Sequence, residues 1–174
     1  SNTIQNVYIG YTINGFASAA PYDFYDQNNQ IGKDAVSGNR SQITDFGGAA
    51  VAAAGIQTSN QNNIRVFGTN INGGAGSTAA LSGISIGTAL NANVDIYNDT
   101  ITLVSAGTTG AVNGITNAAG GTGAGSIINI YNNVVSNCVM SAATTLEFRG
   151  IASTSTASYT NIYNNTVSNN THAG

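Results

Sequence analysis

Three stretches decide the reading: Val94-Asp95-Ile96-Tyr97-Asn98-Asp99-Thr100-Ile101, Ile128-Asn129-Ile130-Tyr131-Asn132-Asn133-Val134-Val135 and Thr160-Asn161-Ile162-Tyr163-Asn164-Asn165-Thr166-Val167. A weaker copy, Ile64-Arg65-Val66-Phe67-Gly68-Thr69-Asn70-Ile71, precedes them. Self-similarity at a period of about thirty residues marks one structural unit stacked on itself. Inside each copy aliphatic and polar residues alternate, which is the period of a strand with one buried face. Asn follows, a residue that tolerates the left-handed backbone of a sharp corner. A second short strand comes next. Each copy therefore reads strand, Asn corner, strand.

Working outward, Ile4 and Ile43 fit the slot of Ile71, Ile101, Val135 and Val167, at intervals of 39, 28, 30, 34 and 32 residues. A third strand is marked by Gly55-Ile56, Gly83-Ile84, Gly114-Ile115 and Gly150-Ile151. Three short strands per turn predict an all-β chain: a right-handed parallel β-helix of about five coils spanning residues 1–174. Leucine-rich repeats are shorter and Leu-dominated, and helical repeats need a 3.6-residue period. Neither pattern is present.

A lone coil would not survive. Each buried aliphatic side chain contributes roughly 1.5–3 kcal/mol, whereas ordering the backbone costs roughly 1–2 kcal/mol per residue. Stacking closes the backbone hydrogen bonds and aligns like residues, so that Asn98, Asn132 and Asn164 become candidates for a side-chain amide ladder. Coils should repeat about 4.8 Å apart. The sequence opens and closes inside its motif without a capping element. That predicts an excerpt of a longer solenoid, or a unit continued by neighbouring coils or subunits.

Composition narrows the partners. Only 6% of residues are charged and the net charge is −3, so nucleic-acid binding, which needs phosphate neutralisation, is not expected. The small and apolar run from Gly47 to Gly55 is too short for membrane insertion. The single cysteine, Cys138, reads as a buried small hydrophobe.

The Asn-Ile-Tyr-Asn-Asn-Thr-Val type of motif resembles the right-handed parallel β-helix repeats of the pectate-lyase-like superfamily. It is most similar to large secreted surface proteins of Bacteroidota. The resemblance covers nearly the whole chain and implies export to the extracellular face or cell surface, commonly by the type IX route. Such proteins carry a C-terminal sorting domain, which this sequence does not contain. The superfamily includes polysaccharide lyases, glycoside hydrolases and adhesins, and fold alone does not choose among them.

Candidate chemistry is sparse. The acids are Asp23, Asp26, Asp34, Asp45, Asp95, Asp99 and Glu147, and only Asp23, Asp26 and Asp34, with Lys33, gather locally. Asp95 shares its outward column with Arg65, Asn129 and Asn161, so no row of paired carboxylates forms for hydrolysis. No catalytic residue is assigned, and His172 reads as a solvated residue near the end of the sequence. Calcium at Asp23 and Asp26 is a weak reading, because two carboxylates fall short of six to eight oxygens. Otherwise no cofactor or metal is expected.

Residues 7–38 lengthen the first interval and read as an aromatic-rich insertion carrying Tyr8, Tyr11, Phe16, Tyr22, Phe24 and Tyr25. Tyr22, Asp23, Phe24, Tyr25 and Asp26 could hold a polysaccharide or a surface protein, since loops on rigid scaffolds carry recognition. The competing reading folds those rings onto the side of the helix. Phe67, Tyr97, Tyr131 and Tyr163 should form an outward column, either a glycan platform or a structural ladder. Gln5, Thr44, Asn72, Thr102, Ser136 and Ser168 form a second, mixed polar column. Asn39-Arg40-Ser41, Asn98-Asp99-Thr100, Asn164-Asn165-Thr166 and Asn169-Asn170-Thr171 match the N-glycosylation pattern, and Asp99-Thr100-Ile101 resembles a Bacteroidota O-glycosylation motif. The leading expectation is a non-enzymatic stalk, fibre or adhesin segment. The alternative is a fragment of a polysaccharide lyase or glycoside hydrolase.

Overall fold

The computed structural model describes residues 2–34, 40–48, 50–121, 125–142 and 145–173. Asn39 of the first glycosylation pattern and residues 35–38 of the 7–38 stretch lie outside them. The chain is a right-handed parallel β-helix with three walls.

The polar wall contains β1 (Thr3–Val7), β5 (Ser41–Phe46), β9 (Thr69–Ser77), β12 (Thr100–Ser105), β15 (Val134–Ser136) and β19 (Thr166–Ser168). It is extended by β16 (Val139–Met140) and β20 (Thr171–His172). The glycine wall is β2 (Ile9–Asn14), β6 (Ala53–Ser59), β10 (Leu81–Ile86), β13 (Ala111–Asn117) and β17 (Glu147–Ser153). The tyrosine wall is β4 (Gln30–Gly32), β8 (Ile64–Phe67), β11 (Val94–Tyr97), β14 (Ile127–Tyr131) and β18 (Tyr159–Tyr163). A small outer pair joins β3 (Asp26–Gln27) to β7 (Gln61–Asn62).

Register carries like over like. Ile4, Ile43, Ile71, Ile101, Val135 and Val167 pair in sequence on the polar wall. Ile31, Val66, Ile96, Ile130 and Ile162 do so on the tyrosine wall. Ile43, Val66, Ile96, Ile101, Ile130 and Val135 are fully buried, so the tube is filled by aligned aliphatic columns. The last rung keeps its register while Ile162 is 48% exposed and Val167 49%. Both stay in their columns and lack only a described rung beyond them.

The Gly-Ile pairs mark a reset of the strand alternation, because Gly83 and Ile84 are both buried, as are Gly114 and Ile115. A Cβ at Gly114 would lie 2.4 Å from the Gly150 carbonyl oxygen and 2.6 Å from Val135 Cγ1. The neighbouring wall's branched side chains fill that space.

Two of the three walls begin inside residues 7–38. Tyr11 in β2 pairs with Ile56, and Ile31 in β4 pairs with Val66. Gly10-Tyr11 thus takes the Gly-Ile position of the first coil. The extra length of that coil falls in two places: residues 15–29 between β2 and β4, and the stretch after Gly32 that leads to β5 at Ser41.

Candidate functional site

The 15–29 loop divides its aromatics between two environments. Tyr25 is buried at the flank of the core, where its phenol oxygen accepts the Leu90 N–H at 3.1 Å. Tyr22 stacks on it with centroids 5.6 Å apart and a 22° interplanar angle. Tyr22 also holds φ 72, a left-handed conformation that is strained for a bulky residue and persists only where packing fixes it. These two rings anchor the loop. Phe16 and Phe24 project away from it, 67% and 76% exposed, and face a shallow apolar recess of about 470 Å³.

The acids of this loop stand on its polar side. Asp23 and Asp26 are exposed, and Asp26 Oδ2 accepts from Gln61 Nε2 at 3.4 Å across the outer strand pair. Among the described residues no third acidic, histidine or cysteine side chain joins them to complete a cation-binding group. From Asp26 the chain runs into a polar depression of about 320 Å³ on the tyrosine wall, lined by Asn28, Gln30, Asn63, Arg65, Asn93 and Asp95. Its amides are tied rung to rung: Asn63 Nδ2 donates to Asn28 Oδ1 at 3.3 Å, and Asn93 Nδ2 to Asn63 Oδ1 at 3.0 Å. The outward column is pinned likewise. Arg65 Nε lies 3.6 Å from Asp95 Oδ2, Asn129 Nδ2 donates to Asp95 Oδ1 at 2.8 Å, and Asn161 Nδ2 donates to Asn129 Oδ1 at 2.9 Å.

Beside it Phe67, Tyr97, Tyr131 and Tyr163 form one stack, with centroids 5.0–5.1 Å apart and interplanar angles of 2–6°. Each ring covers the face of the next, so the column shows solvent its edges. A sugar ring needs an aromatic face for apolar contact; of the two end rings of the stack, Phe67 is buried beside Gly32 and Tyr163 is 48% exposed. Burial raises the Tyr97 and Tyr131 phenols above the usual tyrosine range, keeping both neutral. The geometry is that of a ladder.

The side-chain amide ladder lies one residue beyond the place read from sequence. Asn98, Asn132 and Asn164 occupy the corners at φ 59, 57 and 54, and Gly68 holds the same corner at φ 59. Among the described residues their amides make no side-chain bond along the stack, whereas the residues that follow them do. Asn133 Oδ1 accepts the Asp99 N–H at 3.0 Å, and Asn165 Oδ1 accepts the Asn133 N–H at 2.9 Å. Asn170 Oδ1 serves Cys138 N–H at 2.9 Å at the next corner, where the Cys138 sulfur accepts Leu103 N–H at 3.3 Å. Cys138 is fully buried, which pushes its thiol pKa up and keeps it un-ionised.

The remaining sequence candidates fall outside any shared site. Thr102 Oγ1 donates to Ser136 O at 3.0 Å within the second polar column. His172 Nε2 lies 2.8 Å from the Leu146 carbonyl oxygen. Asp99 of the O-glycosylation-like triplet is fully buried, so the folded chain hides its first residue. Phe24 is among the loop residues singled out from sequence, whereas Phe16 as its exposed partner is not, because nothing in the sequence separates anchoring rings from projecting ones.

Comparison with protein-family models, curated proteins and solved structures returns no match. The class defined here is that of the parallel β-solenoids.

Proposed function

We propose that this chain is a non-enzymatic segment of a large secreted or cell-surface bacterial protein, a rigid solenoid that displays a glycan-binding loop. The observation that carries the reading is the solvent placement of Phe16 and Phe24 on a loop pinned by Tyr22 and Tyr25. Exposed paired rings on a fixed support are contact groups for an apolar face. The loop leads into amides that both donate and accept, alongside an Arg65–Asp95 pair that cancels its own charge. Together these features suit a neutral, polyhydroxylated ligand with one apolar face: a polysaccharide. Coil stacking supplies reach and stiffness.

The test is retention on immobilised polysaccharides and on bacterial envelope preparations. The double variant Phe16→Ser, Phe24→Ser should bind about tenfold or more weakly, each ring contributing about 0.5–1.5 kcal/mol. Its melting temperature should match the wild type, because both rings are already in water. No retention of the wild type on either material, or undiminished retention of the variant, would overturn the reading. Release of unsaturated product from polyuronates would move the chain to the lyases instead.

A further inference from the structure

One rung of the inner ladder carries an acid where the next two carry amides. Asp99 follows corner Asn98 as Asn133 follows Asn132 and Asn165 follows Asn164. Each amide does two things. Its Oδ1 accepts a backbone N–H of the preceding rung, and its Nδ2 donates to a carbonyl there: Asn133 to Ile96 O at 3.0 Å and Asn165 to Ile130 O at 2.8 Å. Asp99 repeats the first half, its Oδ1 accepting Thr69 N–H at 2.8 Å.

The second oxygen stands where the donor should be. Register leads from Ile130 to Ile96 to Val66, so the group facing Asp99 Oδ2 by this repeat is the Val66 carbonyl. Oδ2 is buried without a hydrogen-bond partner, on a residue with 0% exposure. Two oxygens opposed in a dry site repel unless a proton lies between them.

We propose that Asp99 is held as a neutral carboxylic acid whose Oδ2–H donates to the Val66 carbonyl, mimicking an asparagine and making this rung a pH-sensitive joint of the solenoid. Ionisation replaces that bond with a repulsion between two acceptors, and loosens β11 and β12 from β8 and β9.

The charges around the site do not remove the effect. Arg40 Nη1 donates to Asn98 O at 2.7 Å and Thr100 Oγ1 at 3.1 Å, on either side of Asp99, and forms no ion pair with its carboxyl among the described residues. The Tyr97 phenol, on the same wall, is itself shifted upward and neutral. Arg65 and Asp95 neutralise each other on the outer surface. Burial pushes the Asp99 carboxyl up to about 8, against the opposing pulls of the Thr69 N–H, the Arg40 charge and the Thr69 hydroxyl.

The sign follows from proton counts. An unfolded Asp ionises near its ordinary value of 3.8, while the folded chain keeps the proton to about 8. Between those limits the folded state binds the extra proton, so its stability falls as pH rises and levels off above the upper limit.

The experiment compares thermal melting of the wild type and Asp99→Asn from about pH 4 to about pH 9. The two should melt alike at the acid end; the variant should then gain steadily and hold a constant lead above about pH 8. Infrared difference spectra of the wild type should show a protonated carboxylic acid band at neutral pH, lost on passing about pH 8. A lead that does not change with pH, or no such band at neutral pH, would overturn the proposal. The infrared arm needs only the wild type and stands even where the variant does not fold.

Discussion

Corner and ladder residues are sequence neighbours with opposite requirements. Asn132 is exposed and is constrained by its backbone at φ 57, a region that costs an ordinary L-residue about 1–2 kcal/mol. Asn133 is fully buried and is constrained by its side chain, which bonds Asp99 N–H, Ile96 O and Asn165 Oδ1. Gly68 at the equivalent corner shows that left-handed geometry, not an amide, is what the corner needs. Asn132→Gly should therefore leave stability within about 0.5 kcal/mol. Asn133→Ala strands Asp99 N–H in a dry interior and should cost at least about 1–3 kcal/mol. Urea denaturation of the two variants separates the roles, and equal costs would contradict the division. From sequence the doublet Asn132-Asn133 offered no way to tell which amide turned inward. The corner was legible because a left-handed turn selects residue type, whereas the ladder depends on which side chain the corner then points at the axis.

At the scale of the element, each wall strand is shaped by what the adjoining wall pushes into the tube. The glycine column is the clearest case. A Cβ at Gly55, Gly83, Gly114 or Gly150 would lie 2.6 Å from a branched side chain of the polar wall: Ile71, Ile101, Val135 and Val167 respectively. Gly114→Ala places a methyl 2.4 Å from the Gly150 carbonyl oxygen, where backbone rather than a flexible side chain must yield. The expected cost is about 1–3 kcal/mol, with the folded secondary structure retained. Denaturant melts followed by far-UV circular dichroism would measure it; an unchanged midpoint would show that the walls can shift. The wall columns were readable because period-two alternation and repeated Gly-Ile pairs survive in every later coil. The first coil hid two of its strands: Gly10-Tyr11 and Ile31-Gly32 keep the register but replace the diagnostic Ile and Tyr. A long interval rich in aromatic rings then read as insertion throughout, although β2 and β4 within it belong to the walls and its aromatic loop is confined to residues 15–29. Which of those rings anchor and which project is set by the path of the loop, and no local pattern encodes that.

Across the whole molecule, stability is a matter of neighbours, because every rung is buried by the rungs on either side of it. Ile130 and Ile162 test this directly. They are the same residue in the same column, in register with each other, each preceded by Asn and followed by tyrosines that stack at 5.1 Å. They differ in one respect: Ile130 has a described rung on both sides and is fully buried, whereas Ile162 has one and is 48% exposed. Ile130→Ala removes a side chain packed on all sides and should cost about 2–5 kcal/mol. Ile162→Ala gives up roughly half as much burial and leaves no enclosed cavity, so it should cost no more than about half of that. The pair of melting curves, taken on this same chain, measures what one covering coil contributes. Equal destabilisation would mean that energy is shared along the column rather than set rung by rung. A large difference would mean that each rung is held by its immediate neighbours, so that the 15–29 loop, carried on the first coil with described strands β6 to β8 on one side of it, depends on those strands and keeps its geometry while more distant rungs fray.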